Sequence, residues 1–162
     1  MTVTLPFSTA PDVINASLSG YPSGVVALAA IRGDEPVVMI ASSFTAGVSY
    51  DPPLVSVAVQ RSSTTWPDLV SAPVIGISLL GEAHADKTRQ LASRNRAGRL
   101  AGIAHAAHDS GAVFLDDSPT WMTCSIEHLY PAGDHEIVVL RVLALQMHAG
   151  AAPLVRGGAA WA

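Results

Sequence analysis

One cysteine, Cys124, is all the chain has, so an intramolecular disulfide is excluded and cysteine alone cannot build a structural zinc site. Charge is scarce too: charged side chains make up 14% of the 162 residues, against about 25% in an ordinary soluble domain. A monomer needs charge to cover its surface, so the shortage predicts that another subunit covers part of it, most simply in a homodimer. There is no basic excess. The formal net charge of −4 argues against a nucleic-acid partner, which needs a basic face to replace phosphate counterions. No apolar run reaches the roughly 18 residues of a membrane span. Met1 to Ser8 lacks the basic start of a secretory leader, so no membrane contact and a cytoplasmic location are expected.

Familiar chemical signatures are also missing. The chain has no Gly-x-Gly-x-x-Gly turn, no Gly-x-x-x-x-Gly-Lys phosphate loop and no Gly-x-Ser-x-Gly elbow. Any nicotinamide must therefore bind without a Rossmann unit. His105-Ala-Ala-His108-Asp109 has metal-ligand spacing but lacks the Glu and third ligand of a zinc protease, so no metal is expected. Trp66, Trp121 and Trp161 lack the interleaved basic residues of a base-stacking platform and read as packing residues.

What is there is a series of short apolar runs punctuated by turn residues. The length fits one domain over 12–162, preceded by a loose arm over 1–11 that carries Pro6 and Pro11. Asp12 to Ser19 reads as a short helix capped by Asp12 and stopped by Gly20. Val25–Ile31 and Val37–Ala41 flank Gly33-Asp34 and predict a hairpin. Leu54–Gln60 is a third strand, Thr65–Ser71 a short helix with Pro67 in its first turn, and Val74–Leu80 a fourth strand. Glu82–Arg94 predicts a helix with Leu91 and Ala92 facing inward. Residues 95–112 read as a partly ordered excursion, followed by a short strand at Val113–Leu115. Trp121–Tyr130 and His135–Met147 are two long strands joined by the turn Pro131-Ala-Gly-Asp134. Pro153–Arg156 is a last edge strand. About seven hairpin-joined strands with few helices favour a mainly β, antiparallel barrel with helical insertions.

Two stretches flank the third strand with a density of hydroxyls that a buried core has no use for. One is Ala41-Ser-Ser-Phe-Thr45; the other is Arg61-Ser-Ser-Thr-Thr65. A bound anion with a flat, polar-edged body would use both. Ser62, Ser63, Thr64 and Thr65 open a helix, where free N–H groups attract phosphate and Arg61 can add a charge-assisted bond. Plain N-capping explains the same run with a single hydroxyl. Ala41, Ser42, Ser43 and Phe44 lie at a strand end, where backbone groups can meet a polar ring edge. His135 follows Gly133-Asp134 at a strand start. Asp134 either caps the turn or orients the imidazole, and a rim histidine without function fits the sequence as well.

The ordered set Tyr21-Pro-Ser-Gly-Val25, Met39-Ile-Ala-Ser-Ser-Phe-Thr45, Ser49-Tyr-Asp-Pro-Pro-Leu54, Arg61-Ser-Ser-Thr-Thr-Trp-Pro67, Leu91-Ala-Ser93 and Ala132-Gly-Asp-His135 resembles the flavin reductase-like, FMN-binding split-barrel family, the reductase components of two-component flavin monooxygenases. The resemblance implies a homodimer of Greek-key split barrels. It also implies an NAD(P)H:flavin oxidoreductase that moves a hydride from NADH or NADPH to FMN or FAD and supplies a partner monooxygenase. Ala41, Ser42, Ser43 and Phe44 would line the isoalloxazine and ribityl chain. Ser62, Ser63, Thr64 and Thr65 would surround the phosphate, helped by Arg94. His135 would be the catalytic residue beside the nicotinamide, and Arg156 a late basic residue near the pocket. The sequence departs from the family at Ser42, where Asn is common, and in the tail after Arg156. A flavin-retaining oxidase, or a flavin- or haem-binding carrier, are the alternatives on the same fold.

Overall fold

The computed structural model describes residues 8–156. In chain order its elements are α1 (Pro11–Ser19), β1 (Ser23–Gly24), β2 (Val26–Arg32), β3 (Glu35–Ala41), β4 (Thr45–Tyr50), β5 (Pro53–Gln60), α2 (Trp66–Val70) and β6 (Ile75–Leu79). They continue through a 3₁₀ segment at Glu82–Lys87, α3 (Thr88–Leu91), a second 3₁₀ turn at Arg96–Gly98, β7 (His105–Ala107) and β8 (Val113–Leu115). The long pair β9 (Thr120–Ala132) and β10 (His135–Met147) precedes a final β11 (Val155–Arg156).

Seven of the strands form one antiparallel sheet in the order β3-β2-β6-β9-β10-β5-β4. The sheet curls into a split barrel. Its two ends approach where Ser43 Oγ donates to Ala58 O at 2.9 Å and accepts from Ala58 N at 3.0 Å. One hydroxyl thus stands in for the strand partner that β5 lacks at that point. Inside the barrel, alternate residues converge: Val26 and Leu28 from β2, Val55, Val57 and Val59 from β5, Ile75 and Ile77 from β6, and Val138 and Leu140 from β10. Trp66 and Leu69 of α2 plug one end. A second apolar layer lies outside, where Ala27, Ala29, Val38 and Leu91 meet Ile103, Val113 and Leu115. β2 is therefore buried on both faces. That is why its sequence reads as an unbroken apolar run rather than an alternation.

The two hairpins expected from turn chemistry form, with Gly33 and Gly133 at φ of 61° and 63°. Several expectations are corrected. Asp12 does not cap α1; the N-cap is Ala10, and Pro11 occupies the first turn, where its missing N–H costs nothing. Of the expected arm, residues 1–7 lie outside the described residues and Pro11 belongs to α1. Trp161 also lies outside them. Glu82–Arg94 is not one helix. His84 is buried and its Nδ1 accepts from Gly81 N, while Thr88 Oγ1 donates to Ala85 O; these local bonds tighten the first part into 3₁₀. Leu91 points inward but Ala92 is exposed. β4 was not expected at all. It is an exposed edge strand with Gly47 at φ 68° and an irregular register against β5, so no buried face left an alternation to read. Residues 95–112 are ordered rather than loose: Gln90 Nε2 donates to the carbonyls of Gly98, Arg99 and Ala101, and β7 pairs with β8.

Among the described residues no helix is long and apolar enough to cross a membrane, and no group of three or more His, Cys, Asp or Glu is placed to hold a metal ion. His105 Nδ1 and His108 Nδ1 engage Ile103 O and Ser110 Oγ locally.

Two experiments test this packing. A Cβ on buried Gly76 would lie 2.2 Å from Val113 O, so Gly76→Ala is expected to lose about 3 kcal/mol, the upper end of overpacking costs. A lowered urea midpoint at unchanged m checks this; a parent-like midpoint would mean that β8 does not cross β6 so closely. Cys124 is fully buried, and burial pushes its thiol up to about 12. The folded thiol stays neutral while the unfolded one ionises near its ordinary value. The stability from this group is therefore full below that value and is lost as pH rises above it. Native protein at pH 8 should resist iodoacetamide and become modified only in denaturant.

Candidate functional site

The site is assembled by strand register. His135 opens β10 directly opposite Gln60, the last residue of β5. Arg61 N then donates to Asp134 O at 3.0 Å, fixing the start of the 61–65 loop against the β9–β10 turn. The same β5 carries Ala58, which Ser43 grips, so the end of β3 comes to the other side. These elements surround one open cavity of about 940 Å³, near the upper end of the roughly 300–1,000 Å³ usual for small-molecule sites.

Ala41, Ser42, Ser43, Ser62, Ser63, Thr64, Thr65, Arg94, His135 and Arg156 all line it. Phe44 and Arg61 do not. The Phe44 ring packs half-buried against the barrel core, and the Arg61 side chain stands in solvent while only its backbone serves the site. Asn15 of α1 and Arg99 complete the wall.

The hydroxyls divide their labour. Ser63 Oγ accepts from Thr65 N at 3.3 Å and Trp66 N at 3.1 Å, so it occupies the N–H groups that lead into α2, whose N-cap is Thr65. α2 has only five residues, too few for a strong terminal field. Positive charge in the cavity comes instead from arginine. Arg99 is 8% exposed. Its Nη1 donates to Val38 O at 2.7 Å and Thr65 Oγ1 at 2.9 Å, and its Nε to Ser93 O at 2.8 Å. All three acceptors are neutral, and among the described residues no carboxylate pairs with it. Burial, then the neighbouring Arg96 charge, lowers its pKa below the ordinary guanidinium value. A buried cation facing a cavity without a counterion is a seat for an anion. Arg96 turns the other way: it pairs with Asp68 and donates to Thr64 O at 2.9 Å, bracing the start of α2.

His135, which also lines the cavity, has its Nδ1 2.7 Å from Asp134 Oδ1. That contact holds the Asp134 carboxyl below the usual carboxylate range. The stability this carboxylate contributes is therefore full above the usual carboxylate range and is lost as pH falls through its lowered value. With Nδ1 engaged, Nε2 is the ring nitrogen free to meet a ligand. Trp66 Nε1 donates to Glu136 Oε2 at 3.1 Å, tying the next residue of β10 to α2.

Sequence reasoning named Arg94 but missed Arg99. A signal was present: Lys87, Arg89, Arg94, Arg96 and Arg99 are five of the nine Lys and Arg in a charge-poor chain. Which of them turns inward depends on Gln90 holding the 98–101 carbonyls, and no periodicity records that.

The family model described as flavin reductase like domain matches residues 18–158. A flavin reductase of Pseudomonas putida is 32% identical over 151 residues, covering 91% of this chain and 88% of its own length. An NADH:FMN oxidoreductase of Rhodococcus qingshengii is 35% identical over 125 residues; these cover 76% of this chain and 64% of that protein. The solved flavin reductase component of a bacterial two-component tryptophan halogenase superposes with a TM-score of 0.79 at 29% identity, over 90% of this chain and 92% of that one. With a family match across nearly its whole length and a split barrel shared with a solved reductase, the chain belongs to the flavin reductase like domain family.

Proposed function

We propose that this protein is an NAD(P)H-dependent flavin reductase that passes reduced flavin to a separate flavin-dependent monooxygenase or halogenase. The observation that carries the reading is the buried, counterion-free Arg99 in the wall of a cavity that His135, its Nδ1 held by Asp134, also lines. The cavity thus offers cationic seats for a ligand's negative charge and hydroxyls and an imidazole for a polar body, which suits FMN or the flavin half of FAD. Bound flavin supplies the hydride-accepting chemistry; the chain supplies position and charge.

Arg99 and Arg94, with the hydroxyls of Ser62 and Thr64, hold the phosphate. Ser63 and Thr65 serve that end indirectly, one by holding the N–H groups that lead into α2 and the other by anchoring Arg99. Ala41, Ser42 and Ser43 line the path from the phosphate toward the ring. His135 holds the nicotinamide of NADH or NADPH against the open side, with its own ring fixed by Asp134. Orientation of this kind is worth orders of magnitude in rate and needs no acid–base residue. Phe44 and Arg61 are left without a ligand contact in this reading. We assign the protein to the cytoplasm on its need for regenerated NAD(P)H.

A homodimer is supported by the apolar surface the single chain leaves bare. Leu143, Leu145 and Met147 on β10, Tyr130 on β9, and Val13, Ile14 and Leu18 on α1 are all exposed. That much large apolar surface signals a covered face.

Purified protein given FMN or FAD should oxidise NADH or NADPH only when flavin is present; no flavin-dependent loss of nicotinamide absorbance sinks the reading. Saturating FMN at about 100 times its Kd should stabilise the parent by roughly 2.7 kcal/mol, and Arg99→Gln should lose most of that rise in Tm. His135→Ala should lower kcat by about tenfold with little change in flavin Kd. Unchanged turnover removes His135 from the mechanism.

A further inference from the structure

Arg156 reaches the site from the far end of the chain. Its Nη1 donates to Ser42 Oγ at 2.7 Å across 114 residues of sequence, a short charge-assisted bond. The arm that delivers it is fastened on both sides. Leu154 N donates to Leu80 O at 2.7 Å, Val25 N donates to Leu154 O at 3.3 Å, and β11 pairs with β1 in the register Ser23 with Arg156. Among the described residues no carboxylate neutralises Arg156.

The pair stands where two spaces meet. Ser42 and Arg156 line both the main cavity and an adjoining recess of about 280 Å³ walled by Val25, Ile40, Thr88 and Ala92. A guanidinium has five donors and no acceptor. Ser42 Oγ must therefore accept from Arg156, which leaves its own proton to be donated to something else. Arg156 thus turns an ambivalent hydroxyl into a donor and places a positive charge directly behind it.

We propose that Arg156, acting through Ser42, is a positioning residue that makes the cavity favour reduced over oxidised flavin. The inference rests on the flavin-reductase reading above. Transfer of a hydride moves one proton and two electrons from the nicotinamide, which becomes cationic, to a neutral ring, which gains one negative charge. A cation and a donor-fixed hydroxyl at the cavity wall stabilise that added charge, while the neutral oxidised ring gains little from the cation.

The test is anaerobic equilibrium binding of oxidised and dithionite-reduced FMN to the full chain and its variants. The parent binds reduced FMN more tightly. Arg156→Gln is expected to weaken reduced FMN by about tenfold and oxidised FMN by less than about threefold. That differential, about three- to tenfold, corresponds to about 15 to 30 mV in the two-electron potential of the bound flavin. Ser42→Ala shifts the preference in the same direction, and the double variant is no worse than Arg156→Gln, because both remove one coupled unit. Arg156→Lys recovers part of the preference and guards against loss of fold as the cause. Equal weakening of both redox forms, or strictly additive losses, overturns the proposal. A parent that binds neither form sinks the reductase reading itself, and the two failures are told apart by that control.

Discussion

The register of β10 against β5 is the constraint on which the site depends. Pairing His135 with Gln60 puts the start of one long strand beside the end of another, and the Arg61–Asp134 backbone bond extends the ladder into the loop. A slip of one residue would turn Val57 and Val59 out of the barrel and Ala58 into it. It would also separate the hydroxyl loop from the histidine. The apolar interior and the ligand cavity are therefore fixed by the same pairing. Val138 and Leu140 hold the register by burial, and His135 and Thr65 profit from it.

Arginine, rather than helix geometry, gives the cavity its sign. The hydroxyl run invites a helix-terminus account, yet α2 is one short turn and a half and its first N–H already bonds Ser63. Arg99 supplies what the helix cannot. It is buried by the Gln90 clasp on one side and by Val38 and Thr65 on the other. Burying a guanidinium without a counterion costs stability. The protein tolerates this where a ligand with negative charge will complete the pair, and that cost in the empty state becomes selectivity in the filled one.

Much of this was legible in the residues. Turn glycines and β-branched runs marked the β2–β3 and β9–β10 hairpins, because local backbone chemistry decides them. The hydroxyl stretches and His135 stood out because polar density beside an apolar strand has no packing use. Three features escaped for physical reasons. β4 is exposed on both faces and leaves no alternation. The 82–94 segment has helical composition, but buried His84 and Thr88 impose local bonds that outweigh propensity. Arg99 becomes special only through Gln90 and Thr65, contacts set by tertiary folding. Phe44, by contrast, looked like a ring contact and is a core residue, as aromatic side chains beside a strand end commonly are.

The central claim is that an anion on the ligand satisfies Arg99. Comparing FMN with riboflavin, which has the same ring and ribityl chain without the phosphate, isolates that anion. Titration of each into the parent protein at fixed salt should give FMN a Kd at least about tenfold below that of riboflavin. The gap should collapse in Arg99→Gln. Equal affinity of the parent for the two ligands, or an undiminished gap in the variant, would contradict the account.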